Sequence, residues 1–470
     1  MERLERMREI HSRLLRIAQT WAGRKEYDAE LAARLRKEAV RINHAHYLEN
    51  IPAYRKLAQE EGIGKLDDIL PIKKYLMSTD DIFKSYNQQW LDNKEFGKMN
   101  EWLGTIFHER INLDVDGIRT IDEWIDRLSA AGITLAYSSG TTGRFSFVPR
   151  CRLSWELFTS APTCYIAPML LNLGLGSAIQ KLLLKPAIKF IPPFTFAELV
   201  KKIGLPDYDG IFLAFRKGNM GIQLVSQEFS KKMFRNSFFL YDIPLSASAI
   251  RFITRGPVDD FDRKHLAEFA AATIGKKEEN YAKIINQMKR SAAAGRKIFL
   301  FGAPYQYKEL AEMIAGKEGT LPLKQGSFLL TGGGWKSFEG EKIDRESLVK
   351  IISDVFDVPR SLIVDGYSMT EINGLLVLCE HGRYHLPPVV EPVILDENLL
   401  PQEGKDLKGA FGFLDPFAIS YPGFIVSGDN VRMLDEKCPC GMFGPAFTEV
   451  GRSPGREIKG CGGIMASVQA

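Results

Sequence analysis

Ser327-Phe328-Leu329-Leu330 runs into Thr331-Gly332-Gly333-Gly334. Thirty residues on, Ser361-Leu362-Ile363-Val364 runs into Asp365-Gly366-Tyr367-Ser368-Met369-Thr370-Glu371. Between the two lies a helix pattern, Leu348, Ile351, Ile352 and Val355, opened by Asp344. Short apolar runs ending in glycine turns, with a helix between them, are the mark of an α/β sheet whose ligand sits at the strand ends. The same texture extends outward. Ile133-Thr134-Leu135-Ala136-Tyr137 runs into Ser138-Ser139-Gly140-Thr141-Thr142-Gly143, and Lys297-Ile298-Phe299-Leu300-Phe301 into Gly302. From Gly409 onward short strand patterns alternate with Pro and Gly turns.

The first sixty residues read differently. Leu4, Met7, Ile10, Leu14, Ile17 and Trp21 recur at helical spacing, and the stripe predicts a helix packed on its own domain. Asn50-Ile51-Pro52 ends that region, because proline disfavours helix in the residue before it. The chain has 470 residues, room for about three units at ~150 residues each. The boundaries expected are 1–125 for a helical extension and the start of the core, 126–450 for the core, and 451–470 for a hinge and short tail.

Composition excludes several classes. An apolar share of 45% and a charged share of 26% describe a globular chain, not a disordered one. Lys and Arg number 62 against 58 Asp and Glu, so no basic excess points to nucleic acid. The charged N-terminus lacks the apolar core of a signal peptide, and the cytoplasm is the compartment expected. The uncharged run Leu157 to Gln180 contains Pro162, Pro168, Gly174 and Gly176, and reads as buried structure, not as a membrane span. Lys181, Lys185 and Lys189 among apolar residues predict a half-buried helix with a solvated stripe, with peripheral membrane contact as the second reading. Pro186 weakens both.

Three clusters carry chemistry. The two glycines and four hydroxyls of Ser138, Ser139, Gly140, Thr141, Thr142 and Gly143 suit phosphate oxygens, although no Gly-Lys-Ser/Thr ending follows. In the segment 366–371, Tyr367 offers a face for stacking a base, Ser368 and Thr370 offer hydroxyls, and Glu371 is a hard oxygen ligand for Mg²⁺. In Ser427-Gly428-Asp429 the carboxylate suits both hydroxyls of a ribose. Cys438-Pro439-Cys440 on one turn, with Cys379 and either His381 or His385, supplies soft ligands for tetrahedral zinc.

In order and spacing, a Ser/Thr/Gly loop, a triple-glycine turn, Tyr-x-x-Thr-Glu, Gly-Asp and then Gly451-Arg452 resemble the adenylate-forming superfamily over residues 130–460. Gly332-Gly333-Gly334-Trp335-Lys336, Cys438-Pro439-Cys440-Gly441 and Asn50-Ile51-Pro52-Ala53-Tyr54-Arg55 resemble its phenylacetate–CoA ligase and acyl-protein synthetase branch, the latter known from bacterial bioluminescence fatty-acid reductase. The resemblance implies an α/β fold. It is the large N-terminal domain of an adenylate-forming enzyme, with helix-flanked sheets and a small β subdomain, and the C-terminal lid is absent or vestigial.

The implied activity is ATP- and Mg²⁺-dependent conversion of a carboxylic acid, fatty or aromatic, to an acyl-adenylate, followed by acyl transfer to a thiol. The acceptor is a cysteine of the chain with a partner acyl reductase, a carrier protein, or CoA. A non-catalytic nucleotide-binding subunit is the remaining alternative.

By the same resemblance, residues 138–143 hold the β- and γ-phosphates, and Gly333 and Gly334 line the adenine over Tyr367. Thr370 touches the α-phosphate, Glu371 binds Mg²⁺, Asp429 holds the ribose, and Arg452 sits in the hinge. His385 fits the branch's zinc spacing better than His381. Cys461 takes the place of the acyl-accepting cysteine, with Lys459 beside it to favour the thiolate. Two departures stand out. Phe145-Ser146 replaces the usual Pro-Lys, leaving Arg144 or Arg150 to supply charge, and Pro454-Gly455 replaces the hinge's acidic pair. The acyl pocket is expected among residues 157–200 and 299–305.

Overall fold

The structure, a computed structural model, describes residues 2–64, 69–74, 76–139, 144–176 and 178–453. Three helices open the chain: α1 (Glu2–Ala22), α2 (Ala29–Asn50) and α3 (Pro52–Glu60). The apolar stripe of α1 turns inward. Met7, Ile10, Leu14 and Trp21 are buried in the same continuous core as the sheet, while Leu4 stays exposed. Trp21 also donates its ring N–H to the Phe443 carbonyl at 2.9 Å, so the helix is bolted to the far end of the chain. Asp28 caps α2 by accepting from the Leu31 amide. Ile51 is extended (φ −116°, ψ 102°) and Pro52 begins the next helix, as the proline rule requires.

The strands follow in chain order. They are β1 (Met77–Ser78), β2 (Thr134–Ser139), β3 (Phe145–Arg150), β4 (Tyr208–Lys217), β5 (Asn236–Pro244), β6 (Lys297–Gly302) and β7 (Phe328–Gly332). Then come β8 (Ile363–Tyr367), β9 (Leu376–Leu378), β10 (Tyr384–His385), β11 (Glu391–Leu395), β12 (Asp406–Leu414), β13 (Phe424–Asp435) and β14 (Pro445–Arg452). All but β2 and β3 join one sheet, in the order β11-β12-β13-β14-β10-β9-β8-β7-β6-β4-β5, with β1 beside β13. From β5 to β8 the neighbours are parallel, and from β8 to β11 they are antiparallel. The short strands β9 and β10 are the seam between the halves. β2 and β3 form a separate hairpin.

The four strands read from the sequence are present as β2, β6, β7 and β8. The helix between the last two is Arg345–Phe356, with Asp344 accepting from the Ser347 amide at its N-terminus. The parallel strands β4 and β5 were not anticipated. The apolar run of β4, Ile211-Phe212-Leu213-Ala214-Phe215, is buried along its length and shows no alternation to read.

The uncharged run becomes the helix Arg152–Asn172, which passes through Pro162 and Pro168 and is buried over most of its second half. Among the described residues no helix is long and apolar enough to cross a membrane. The lysine-bearing stretch is the helix Ala178–Phe190, and it runs on through Pro186 instead of breaking there. Leu184 and Ala187 face the protein, whereas Leu183 and Phe190 are 53% and 83% exposed.

Because the β5-to-β8 strands are parallel, their carboxyl ends share one edge, and the turns after β7 and β8 emerge side by side: Gly332 pairs with Gly366. The hairpin is brought to that edge by Tyr137, whose amide donates to the Asn219 carbonyl just beyond β4. If α1 is an integral wall of this core, Trp21→Ala should cost about 3–5 kcal/mol in denaturant unfolding, as for other buried tryptophans. A change below about 1 kcal/mol would mean that α1 contributes little to the folded core.

Candidate functional site

The site is built on that edge. After β7 the chain turns through Gly333 (φ +89°) and Gly334 (φ +70°), conformations that favour residues without a Cβ. Beneath the turn, Thr331 lies opposite Asp365 of β8, and the Thr331 and Tyr384 hydroxyls both donate to the Asp365 carboxylate. Burial raises the pKa of Asp365, and the two hydroxyls partly offset this.

Tyr367 closes β8. Its hydroxyl donates to Asp429 Oδ2 at 2.7 Å, and Arg452 Nη1 lies 2.9 Å from Asp429 Oδ1. Asp429 and Arg452 are direct partners across β13 and β14, and the Asp429 amide is bonded to Ser427 Oγ at 3.2 Å. The Tyr367 ring packs near Tyr384, Phe411 and Phe447, with centroids 6.0–6.5 Å away. Burial, reinforced by the adjoining carboxylate, keeps the phenol protonated well above its ordinary range. Three residues far apart in sequence thus meet in one hydrogen-bonded group.

Thr370 and Glu371 follow on an irregular turn and are both buried, Glu371 to 4% exposure. The Ser146 hydroxyl donates to Glu371 Oε1 at 3.1 Å. Arg150, wholly buried, donates through Nη2 to the Thr370 carbonyl at 2.6 Å and to the Tyr421 hydroxyl at 3.0 Å. Its guanidinium lies over the rings of Phe158 (4.2 Å) and Tyr421 (5.0 Å). The Tyr421 hydroxyl donates in turn to the Glu371 carbonyl at 3.2 Å. Gly221 opens the helix Gly221–Met233, and a Cβ there would stand 2.6 Å from Thr370 Oγ1, so only glycine allows this approach.

Other sequence-predicted residues fall as follows. Ser138 is buried and pairs with Ser146 across the hairpin, which also carries Ser139 opposite Phe145. Ser368 donates to the Gly374 carbonyl at 2.7 Å, fixing the turn internally. Arg144 turns away and donates to the Lys84 carbonyl at 3.0 Å, so of the two arginines Arg150 is the one beside Thr370. Gly140, Thr141, Thr142, Gly143, Lys459 and Cys461 lie outside the described residues. Ser146, Asp365, Tyr384, Asn373, Asp415 and Tyr421 were not singled out by sequence reasoning as partners of the site. Only Ser146 left a signal, by standing where the resembled pattern has lysine.

Cys379, His385, Cys438 and Cys440 converge, with all ligand atoms within 4.8 Å of one another. Cys379 Sγ lies 3.8 Å from Cys438 Sγ, and Cys440 Sγ lies 3.2 Å from His385 Nε2. Cys379 is held on the turn after β9 and His385 on β10. Cys438 and Cys440 lie on the turn between β13 and β14, where the Cys438 amide bonds the Met442 carbonyl and the Gly441 amide the Cys438 carbonyl, both at 2.9 Å. Two thiolates bound tetrahedrally at ~2.3 Å stand about 3.8 Å apart, so the donor set fits zinc in spacing as well as in softness. Hydrogen bonds from Cys440 and His385 push the Cys379 thiol down to about 3. His381 is not part of the group.

The fold has solved counterparts. An open conformation of 2-hydroxyisobutyryl-CoA ligase, in complex with an acyl-AMP and CoA, superposes with a TM-score of 0.52 at 12% identity, covering 91% of this chain and 76% of that one. The same ligase in its thioesterification state gives 0.52 at 13%, covering 91% and 74%. The chain therefore has the mixed α/β fold of the adenylate-forming ligases. More particularly, residues 269–469 match the family described as acyl-protein synthetase, LuxE. The long-chain-fatty-acid–luciferin-component ligase of Aliivibrio fischeri is 28% identical over 199 residues, 42% of this chain and 52% of that protein. Its namesake from Vibrio harveyi is 26% identical over 192 residues, 41% and 50% respectively. The chain spans about half the length of these curated relatives. The resemblance carried by the motifs is thus met in fold, and over residues 269–469 by the acyl-protein synthetase family model.

Proposed function

We propose that the protein activates a carboxylic acid with ATP and passes the acyl group to a thiol, as an acyl-protein synthetase-like acid–thiol ligase. The observation that carries this reading is the meeting of Tyr367, Asp429 and Arg452 at one end of the strand edge and Ser146, Arg150, Thr370 and Glu371 at the other, within a stretch whose larger part matches acyl-protein synthetases.

The division of labour follows from the side chains. The flat Tyr367 ring and the Gly333–Gly334 turn suit adenine, and Asp429 offers two oxygens to a ribose. Thr370 Oγ1 and the hydroxyl loop at 138–143 suit the phosphates. Glu371 is the hard carboxylate that would hold Mg²⁺, and Ser146 fixes one of its oxygens. The metal would supply charge neutralisation on the phosphates. The substrate carboxylate attacks the α-phosphorus in line and pyrophosphate leaves, a reaction governed by positioning and electrostatics. Arg150 supports this by tying the backbone of Thr370 to the hairpin. Cys461 is our assignment for the acyl acceptor, with Lys459 beside it. An acyl reductase or carrier protein would receive the group next. Exposed Leu183 and Phe190, with Lys189 exposed between them in sequence, support peripheral contact with a membrane that holds a fatty substrate. Zinc in the Cys379–His385–Cys438–Cys440 cluster would be structural, since four protein ligands leave no open position.

Three measurements test this. A pyrophosphate-release screen over fatty and aromatic acids, with and without CoA, should show acid-dependent turnover. Glu371→Gln should lower it by at least about 100-fold, the scale of removing one key electrostatic contact. No release with any acid would favour a non-catalytic nucleotide-binding subunit, and an absolute need for CoA would favour an acyl-CoA ligase. Incubated with ATP and a labelled fatty acid, the wild type should become labelled and Cys461→Ser should not; equal labelling would remove Cys461 from the pathway. Metal analysis of the purified protein should find at least about one zinc per chain, and less than roughly a tenth of an equivalent would argue against the cluster as a metal site, because structural sites fill.

A further inference from the structure

A second group of soft and hard donors lies away from the Cys379 cluster and shares no residue with it. One ring nitrogen of His108, a carboxylate oxygen of Glu109 and Cys151 Sγ all lie within 4.8 Å of one another. His108 Nε2 is buried yet makes no hydrogen bond, although Glu109 Oε1 is only 3.2 Å away. A buried ring nitrogen without a partner costs free energy unless something else satisfies it.

The other face of the ring is held. His108 Nδ1 stands 3.1 Å from His46 Nε2, and His46 Nδ1 stands 3.1 Å from the Asn50 amide nitrogen. An imidazole whose second nitrogen is fixed by an outer partner, leaving the first beside a carboxylate in a group that also holds a thiol, is the arrangement found around ligating histidines.

We propose that His108, Glu109 and Cys151 form a second transition-metal site, with His46 as the outer residue that orients His108. One nitrogen, one oxygen and one sulfur suit borderline ions such as Zn²⁺ or Co²⁺. They do not suit Mg²⁺ or Ca²⁺, which take oxygen ligands. Binding replaces the Cys151 S–H bond with a metal–sulfur bond and releases that proton to solvent. Three protein ligands would leave a fourth position open to an exchangeable ligand.

The site is also placed to influence the chemistry. Cys151 directly follows Arg150, which holds Thr370, and the His108 amide donates to the carbonyl of Ser420, the neighbour of Tyr421, at 3.1 Å. A bound metal would tie α2, the segment at 108 and the β3 end together behind Arg150 and Tyr421.

The test is Co²⁺ titration of the purified full-length protein, read by absorbance and by metal retained after gel filtration. The wild type should take up one Co²⁺ that the variants lose, with a thiolate charge-transfer band in the near ultraviolet. Cys151→Ser should abolish that band. Glu109→Gln, a change at an exposed side chain that the fold does not need, should weaken binding at least about tenfold, and His46→Ala by about 10- to 100-fold. Equal uptake and an unchanged band in Cys151→Ser would assign the signal to the Cys379 cluster and overturn the proposal. So would Co²⁺ affinity unaltered by Glu109→Gln, which decides the matter even if Cys151→Ser does not fold. Neither outcome depends on acyl transfer.

Discussion

The buried carboxylate of Asp415 is the constraint on which the rest depends. Its Oδ2 accepts from the Asn373 amide at 2.6 Å and from Asn373 Nδ2 at 2.9 Å, and its Oδ1 accepts from the Phe417 amide at 2.8 Å. Burial raises its pKa, and these donors, with Arg150 nearby, work against that rise. A polar group so deep in a protein is tolerated only when its hydrogen-bond partners are in place. Asn373 ends the turn that carries Thr370 and Glu371, so satisfying Asp415 fixes the backbone of that turn, which has no sheet or helix of its own.

The same loop reaches back to the start of the chain. His11 Nε2 lies 2.9 Å from the Pro416 carbonyl, and Asn43 donates to that carbonyl at 3.0 Å. The Tyr47 hydroxyl donates to Ala418. The His11 ring stacks on Phe417 at 4.2 Å, and burial holds it neutral, with a pKa near 4. The N-terminal helices therefore act on the site at one remove. They hold residues 415–421, and those residues hold the turn at 370–373. A hydrogen-bonded chain from α1 to Glu371 explains why the N-terminal third is packed into the core and does not stand apart from it.

A second coupling crosses the seam of the sheet. Asp365 lies under the glycine turn, Tyr384 donates to it, and His385 is the next residue, in the cysteine cluster. The strands at the seam are only two or three residues long and pair antiparallel with β8 and β14. Strands so short have few hydrogen bonds of their own, and the cysteine cluster brings both flanking turns together at that joint.

Much of the scaffold was legible because it rests on local rules. Asp344 opens a helix because its side chain caps the Ser347 amide, Ile51 ends one because Pro52 follows, and Gly333 and Gly334 turn because nothing blocks positive φ. The cysteines at 438 and 440 announced a turn, and their side chains meet Cys379 and His385. β4 was not legible, since a strand buried on both faces shows no alternation. The contacts of Ser146 with Glu371, Tyr384 with Asp365, and Asp415 with Asn373 left no trace either. Each joins residues tens to hundreds of positions apart, and no local pattern encodes which hydroxyl will meet which carboxylate. The sequence by itself determined the strand–turn–helix order and the residue types offered at each turn, because propensity, capping and glycine freedom act over a few residues. Only the tertiary structure decided which of those residues share a site, because that depends on parallel register and on buried polar groups finding partners across the whole chain.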